Sequence, residues 1–393
     1  MVSRRDADLD RSRPVSIRAR ELDLSRAPGW ATDGPLGVLE IAPRATVDLR
    51  GALAEVAVQP DVPQSASWMR RPTSYEAPAA YLTRLSSGMV ESRMGVVVHP
   101  DAGFMPESIR RPLKMGKHGY MLDGTGELVF PERKVVTVDA PALHLALPFN
   151  RNYFHWMYEG LGRLLIARDF LPPEARIAVR LRPPSFRSET LAALGIAPDR
   201  IVELPARRLV RFSELYVPPY TVTRDWRLLP LVVHALRSFG ASSPGGHGRL
   251  YVTREASSRH ISNHAEVLGT LGRLGFAELA TETLTVAEQI ARFSRAEAVV
   301  GVHGAGLANA VFSAPGTLLV ELQSPELYSA PAVSGPFGLG DRSHDVFWNV
   351  AAVANLRYVR VVCKPVTPGH RNSDIEVDCA HLEEVLRRWL RMR

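Results

Sequence analysis

Cysteine is nearly missing from this 393-residue chain: only Cys363 and Cys379 occur, with no C-x-x-C pair. That excludes a thiolate zinc ribbon and a disulfide scaffold, and it fits a reducing compartment. Lysine is almost as scarce. Lys114, Lys117, Lys134 and Lys364 are the full set, so the net charge of +7 is carried by arginine. Such an excess suits phosphate-bearing ligands or an anionic surface and decides nothing about fold. No basic arm with interleaved aromatics and no zinc-finger spacing is present, which argues against nucleic acid as a partner. The longest apolar stretch, AVVGVHGAGLANAVF at 298–312, is too short to span a bilayer and carries His303. The opening MVSRRDADLDRSRP mixes both charges without an apolar core, unlike a signal peptide or membrane anchor. The expectation is a cytoplasmic protein whose membrane contact, if made, is peripheral. No D-x-D stands at a strand end; Asp6-Ala-Asp8 and Asp8-Leu-Asp10 fall in the N-terminal tail, so no metal ligands are assigned.

At 46% hydrophobic and 23% charged, with 29 glycines and 30 prolines, the composition is that of a globular protein. Its length suits two domains. Residues 1–30 read as a poorly ordered tail. Residues 36–140 read as irregular β-structure, with a hairpin signal at Asp123-Gly-Thr-Gly126. From 143 onward strands alternate with helices: LHLAL, a helix over 152–169, RIAVRL, a helix over 187–194, RIVEL, SELYVPP, and a helix over 225–239. GASSPGGHG at 240–248 is the linker candidate. A cleaner alternation follows, with strands at 249–254, 276–280, 296–302, 317–323 and 358–363. Two of its helices open on capping-box spacings, Asn263 with Glu266 and Thr285 with Glu288. The fold class is therefore α/β: two Rossmann-like, doubly wound domains facing a cleft, with an irregular β-rich N-terminal region. The expected divisions are an acceptor-side domain at 31–240, a nucleotide-binding domain at 249–375, and a helix at 376–393 packing back across the cleft.

GVHGAGLANAVF, at a strand end, is the sharpest motif. Ligands of open α/β sheets bind at carboxyl ends of strands, where a glycine turn lets backbone N–H groups approach a phosphate. Gly304, Ala305, Gly306 and Leu307 make that turn, and His303 could donate to the same anion or to a ribose. The plainer alternative is that the glycines only permit close strand–helix packing. Asn309 replaces the third glycine of G-x-G-x-x-G, and the turn follows the third strand of its domain, so a dinucleotide site fits badly. Glu321 ends the next strand, and Arg254 ends the first, with Arg259 beyond it. A guanidinium there matches a pyrophosphate bidentately; its alternative is a solvated loop arginine.

The helix NYFHWMYEGLGRLLIARDF places Asn152, His155, Trp156, Glu159 and Arg163 in one sector about 100° wide, opposite an apolar side. A solvated face is the ordinary explanation of such a row. His and Glu at i, i+4 beside an exposed tryptophan also suit a general base with an aromatic platform for a sugar.

Asn152-Tyr153, His155-Trp156, Glu159, Leu161 and Arg163-Leu164 resemble the N-Y-x-H-W-x-x-E-x-L-x-R-L signature of glycosyltransferase family 61. Tyr251-Val-Thr-Arg254 is similar to its Y-I-S-R segment, and residues 300–322 resemble its G-x-H-G-A-G-L-T-N-x-x-F…P-G…V-I-E-L block. The likeness covers about 143–323 and leaves the first 130 residues uncovered. Gly162 stands where the family often has proline and Ala308 where it often has threonine. The resemblance implies an inverting, nucleotide-sugar-dependent transferase of GT-B architecture. Without an anchor the chain looks like bacterial members of capsular or surface polysaccharide synthesis, working at the inner face of the cytoplasmic membrane. It implies Glu159 or His155 as base. Arg254, His303, Gly304, Ala305, Gly306, Leu307 and Glu321 would then hold the donor, with Asn152, Trp156, Arg163, Arg259 and Asn309 at substrate. No cofactor beyond the nucleotide-sugar co-substrate is expected. The alternatives are a non-catalytic nucleotide-sugar-binding or scaffold protein and an NAD(P)-dependent enzyme.

Overall fold

A computed structural model of the protein describes residues 15–19, 36–52, 55–62, 73–101, 103–109, 121–122, 127–180, 185–223, 226–240, 247–254, 259–327, 345–370 and 372–392. They form two units. One draws its described residues from Met1–Arg44 and Pro78–Arg224, the other from Ala45–Ala77, Asp225–Ala332 and Asp341–Arg393. Residues 45–77 join the second unit because Glu55–Val58 pairs in parallel with Arg357–Val362. The helix Pro230–Phe239 joins it as well, with Arg237 donating to the carbonyls of Val311 at 3.0 Å and Ser313 at 2.8 Å. Alternation along a sequence marks a strand but not the sheet that strand will enter.

The first unit holds a six-stranded sheet in the order 201–203, 176–179, 142–144, 214–217, 80–86, 36–42. Its first four strands run parallel, and the last two are antiparallel additions. A five-stranded sheet (135–138, 209–212, 89–91, 97–99, 103–104) adds a second layer, sharing Val90, Val97, Val210 and Phe212 with the core of the first. Val15–Ala19, within the expected tail, is a strand paired antiparallel with Leu128–Arg133. Met121–Leu122 pairs antiparallel with the same strand; the turn between them, 123–126, lies outside the described residues, as does most of the 240–248 linker.

The second unit's sheet is wholly parallel, ordered 276–279, 248–252, 296–302, 318–323, 357–362, 55–58. Its strands are buried runs of valine, leucine and alanine, as a sheet covered on both faces requires. The chain leaves 248–252 toward one side and later returns to the other, so the strand order reverses between 248–252 and 296–302. The crevice at their carboxyl ends is the switch point where ligands of such sheets bind. Cys379–Arg391 forms the closing helix, with Leu382, Val385, Leu386 and Trp389 buried in this same unit's core alongside Val267, Leu271 and Val359. Among the described residues no helix is long and apolar enough to cross a membrane.

Candidate functional site

In the second unit the switch point is built around Arg254 and the turn after Ala296–Val302. Arg254 is half-buried, and its Nη1 donates to the His303 carbonyl at 2.8 Å. A Cβ on Gly304 would fall 1.7 Å from that same Nη1, so the glycine leaves the space the guanidinium occupies. Gly306 has a packing reason instead: its Cβ would meet Val252 at 2.8 Å. At both positions the missing side chain makes room for a neighbour within this unit, a guanidinium at Gly304 and a valine at Gly306. Gly304 opens a 3₁₀ helix, Ala305–Phe312, without a side-chain cap. Leu307 and Asn309 are fully buried in it, and Asn309 donates to Gln289 Oε1 at 2.7 Å. Ala305 and Gly306 are partly exposed.

His303 donates from Nδ1 to Glu321, whose second oxygen accepts from the Tyr358 hydroxyl. Glu321 is fully buried. Burial alone would raise its pKa, but the His303 contact, then Arg360 and Tyr358, hold it below the usual carboxylate value. His303 is pushed the other way. Burial lowers it, and Arg259 and Arg254 oppose its protonation while Glu321 favours it. The pair is thus an ionised carboxylate fixing a neutral imidazole in one tautomer. Phe347 stands edge-on to the imidazole at 5.5 Å. Burial lowers the Arg254 pKa from its ordinary value, yet the guanidinium keeps its charge at neutral pH.

Beside Arg254 opens a cavity of about 280 Å³ lined by Tyr251, Arg254, His260, Ile261, His264 and Val302. Of these, Tyr251 belongs to the family-like segment ending at Arg254, whereas His260, Ile261 and His264 are not among the residues assigned from the sequence. The i, i+4 spacing of the two histidines, just beyond the first strand, was the available signal. Arg259, in the same loop, takes a positive φ of 71°.

In the first unit, the helix after Ala142–His144 departs from the expected amphipathic form. Tyr153–His155 is α-helical, Trp156–Leu161 is π-helical, with the Gly162 N–H bonded to the Met157 carbonyl, and Gly162–Ala167 is α again. Asn152 caps it, accepting from the His155 N–H at 3.4 Å. The polar row is not a solvated face. Trp156 is fully buried, its indole N–H donating to Thr190 Oγ1 at 2.9 Å, so it offers no ring to a sugar. Arg163 is also fully buried: Nε and Nη2 donate to the carbonyls of Pro219 at 3.1 Å and Pro218 at 2.9 Å, and the guanidinium lies over the Tyr220 ring at 4.4 Å. It fastens the 218–220 segment to the helix. Periodicity did not reveal this burial because the helix is surrounded on most sides, and Trp156 and Arg163 find hydrogen-bond partners inside the unit.

His155 and Glu159 do meet, with His155 Nδ1 donating to Glu159 Oε2. The Glu159 side chain is 2% exposed and that of His155 14%. The π turn leaves Tyr158 a carbonyl that accepts a hydrogen bond from the Thr221 hydroxyl at 2.6 Å. Turns of this kind recur at functional sites. Among the described residues no group of three or more His, Cys, Asp or Glu could share a metal ion; the D-x-D pairs at 6–10 lie outside those residues.

Residues 153–320 match the family model described as Glycosyltransferase 61. No curated protein matches the chain.

Proposed function

Because residues 153–320 belong to glycosyltransferase family 61, we propose that this glycosyltransferase takes its sugar from a nucleoside-diphosphate donor, in the first instance a UDP-sugar, and transfers it with inversion to a hydroxyl of a glycan or lipid-linked acceptor. One observation carries the reading: a half-buried guanidinium, Arg254, fixed over Gly304 at the switch point of a parallel sheet, beside a cavity. A leaving diphosphate needs positive charge that is already oriented, since fixed donors stabilise developing charge without reorganising.

In this mechanism the acceptor oxygen attacks the anomeric carbon opposite the diphosphate. The bond from that carbon to the diphosphate oxygen breaks, and its electron pair leaves with the phosphate, met by Arg254. The hydroxyl proton passes to the His155–Glu159 pair. With Nδ1 committed to Glu159, Nε2 of His155 is the atom that takes it, and the buried carboxylate orients the ring and steadies its charge. The more exposed member of the pair is thus the acceptor of the proton. General-base assistance is worth about 10²–10⁴-fold, so His155→Ala is expected to lower kcat by that order while donor affinity holds. A near-wild-type rate would remove the pair from the reaction.

Arg254→Ala is expected to weaken UDP binding by about 10- to 100-fold, the equivalent of about 1.5–3 kcal/mol of charged hydrogen bonds, read by isothermal titration calorimetry. Arginine at the turn meets the leaving charge without a metal ion, so transfer is expected to persist in EDTA; loss restored by Mn²⁺ would overturn this. GT-B architecture would give donor binding to the second unit and acceptor chemistry to the first. Bacterial surface-polysaccharide synthesis at the inner face of the cytoplasmic membrane is the setting we assign. A non-catalytic binder would release no sugar in a donor-hydrolysis assay, and an NAD(P) enzyme would show a nicotinamide-dependent thermal shift.

A further inference from the structure

A second group of arginines lies in the first unit, at the carboxyl edge of its parallel strands. Arg151 follows Ala142–His144, Arg180 follows Arg176–Val179, and Arg187 is the second residue of the helix Phe186–Ala193. Arg187 is 1% exposed. Its Nη1 donates to the Arg180 carbonyl, whereas Nε and Nη2 are buried and have no hydrogen-bond partner among the described residues. Burial, then the charges of Arg151 and Arg180, push its pKa down to about 10, against the opposing Glu203; it is still a cation at neutral pH. Ser185, which opens the helix, makes no side-chain cap, so the first backbone N–H groups add their positive end to the same place.

A buried guanidinium with two unclaimed nitrogens is strongly unfavourable unless an acceptor fills the gap. The complementary group is negative, accepts only, and offers several oxygens at fork spacing, as a phosphate does. The helix carrying Arg187 packs on the π-helical segment, through the Trp156–Thr190 hydrogen bond and an edge-on contact of Tyr153 with Phe186 at 5.2 Å. An anion bound there shares its support with the His155–Glu159 pair.

We propose that Arg187, with Arg180 and Arg151, binds a phosphate group of the acceptor and so brings the acceptor's hydroxyl to His155–Glu159. The acceptor role rests on the transferase reading above; the phosphate site itself does not. The group could be a phosphate on a soluble glycan or the diphosphate of a lipid carrier.

The test is calorimetric titration of the full chain carrying Arg254→Ala, so that the second unit's cation is not scored, with inorganic pyrophosphate and with geranyl diphosphate as probes. Saturable binding is expected, weakened at least about tenfold by adding Arg187→Gln and less by Arg187→Lys, which keeps the charge without the fork. Tighter binding of geranyl diphosphate than of pyrophosphate assigns a lipid carrier; equal binding assigns the phosphate alone. Should Arg187→Gln lose its fold by circular dichroism, Arg151→Gln and Arg180→Gln, at the more exposed positions, decide the matter by a several-fold loss. No saturable binding, or binding indifferent to all of these substitutions, overturns the site. UDP binding that survives Arg187→Gln and is lost in Arg254→Ala would in that event leave the transfer reading intact.

Discussion

Gly304 and Arg254 are a single device written in two places. The guanidinium lies where a side chain on residue 304 would begin, so Gly304→Ala should displace it and reproduce the UDP-binding loss of Arg254→Ala with the arginine still present. Calorimetry on the two variants side by side checks this; unimpaired binding by Gly304→Ala would separate them. The buried histidines set an acid limit. His303 and His144 are both held below their ordinary value of 6.5, chiefly by burial, His144 the more strongly. The unfolded chain therefore takes up protons first as pH falls past 6.5, and stability drops toward the folded values. Glu321, held below 4.5, contributes stability above that value and loses it as pH falls through its folded pKa. The melting temperature should be level above pH 7, decline below 6.5 and fall further below 4.5, with His303→Gln reducing the slope of the first decline. The sequence alone allowed Arg254, His303 and Glu321 to be grouped, because strand ends on one sheet edge converge. It did not reveal that Trp156 and Arg163 are fully buried, because burial on every side of a helix leaves no periodic trace.

The helix 153–167 is interrupted by a π turn at its centre. Its π turn needs Gly160, whose Cβ would lie 2.5 Å from the Trp156 ring, and Thr221, which satisfies the Tyr158 carbonyl. Gly160→Ala should cost about 1–3 kcal/mol by overpacking and Thr221→Val about 1–3 kcal/mol by orphaning the carbonyl, both measurable by denaturant melts. Each should also depress turnover through the His155–Glu159 geometry, and Thr221→Ser should restore it. Other starts were readable to different degrees. Thr285 and Glu288 form the expected reciprocal box. Asn263 does not cap; its amide bonds the Val377 backbone instead, donating at 2.8 Å and accepting at 3.0 Å. A tertiary partner outcompeted the local one. The helix expected at 225–239 begins at Pro230, in the first turn where proline's missing N–H costs nothing.

Strands 296–302 and 318–323 emerged almost at their predicted limits, since a buried parallel strand is a continuous apolar run. The sheet orders could not be read so directly, and the path of the early chain least of all. Strand Glu55–Val58 is made well before its partner Arg357–Val362, which appears some three hundred residues later. While the ribosome works, that early segment has no sheet to join, and the row of Val359 and Val361 has no cover on that side until it arrives. Neither half of this polypeptide is therefore a transplantable module. A fragment beginning after residue 225 would expose a raw sheet border and should aggregate, and supplying residues 45–77 as a separate peptide should rescue it into solution.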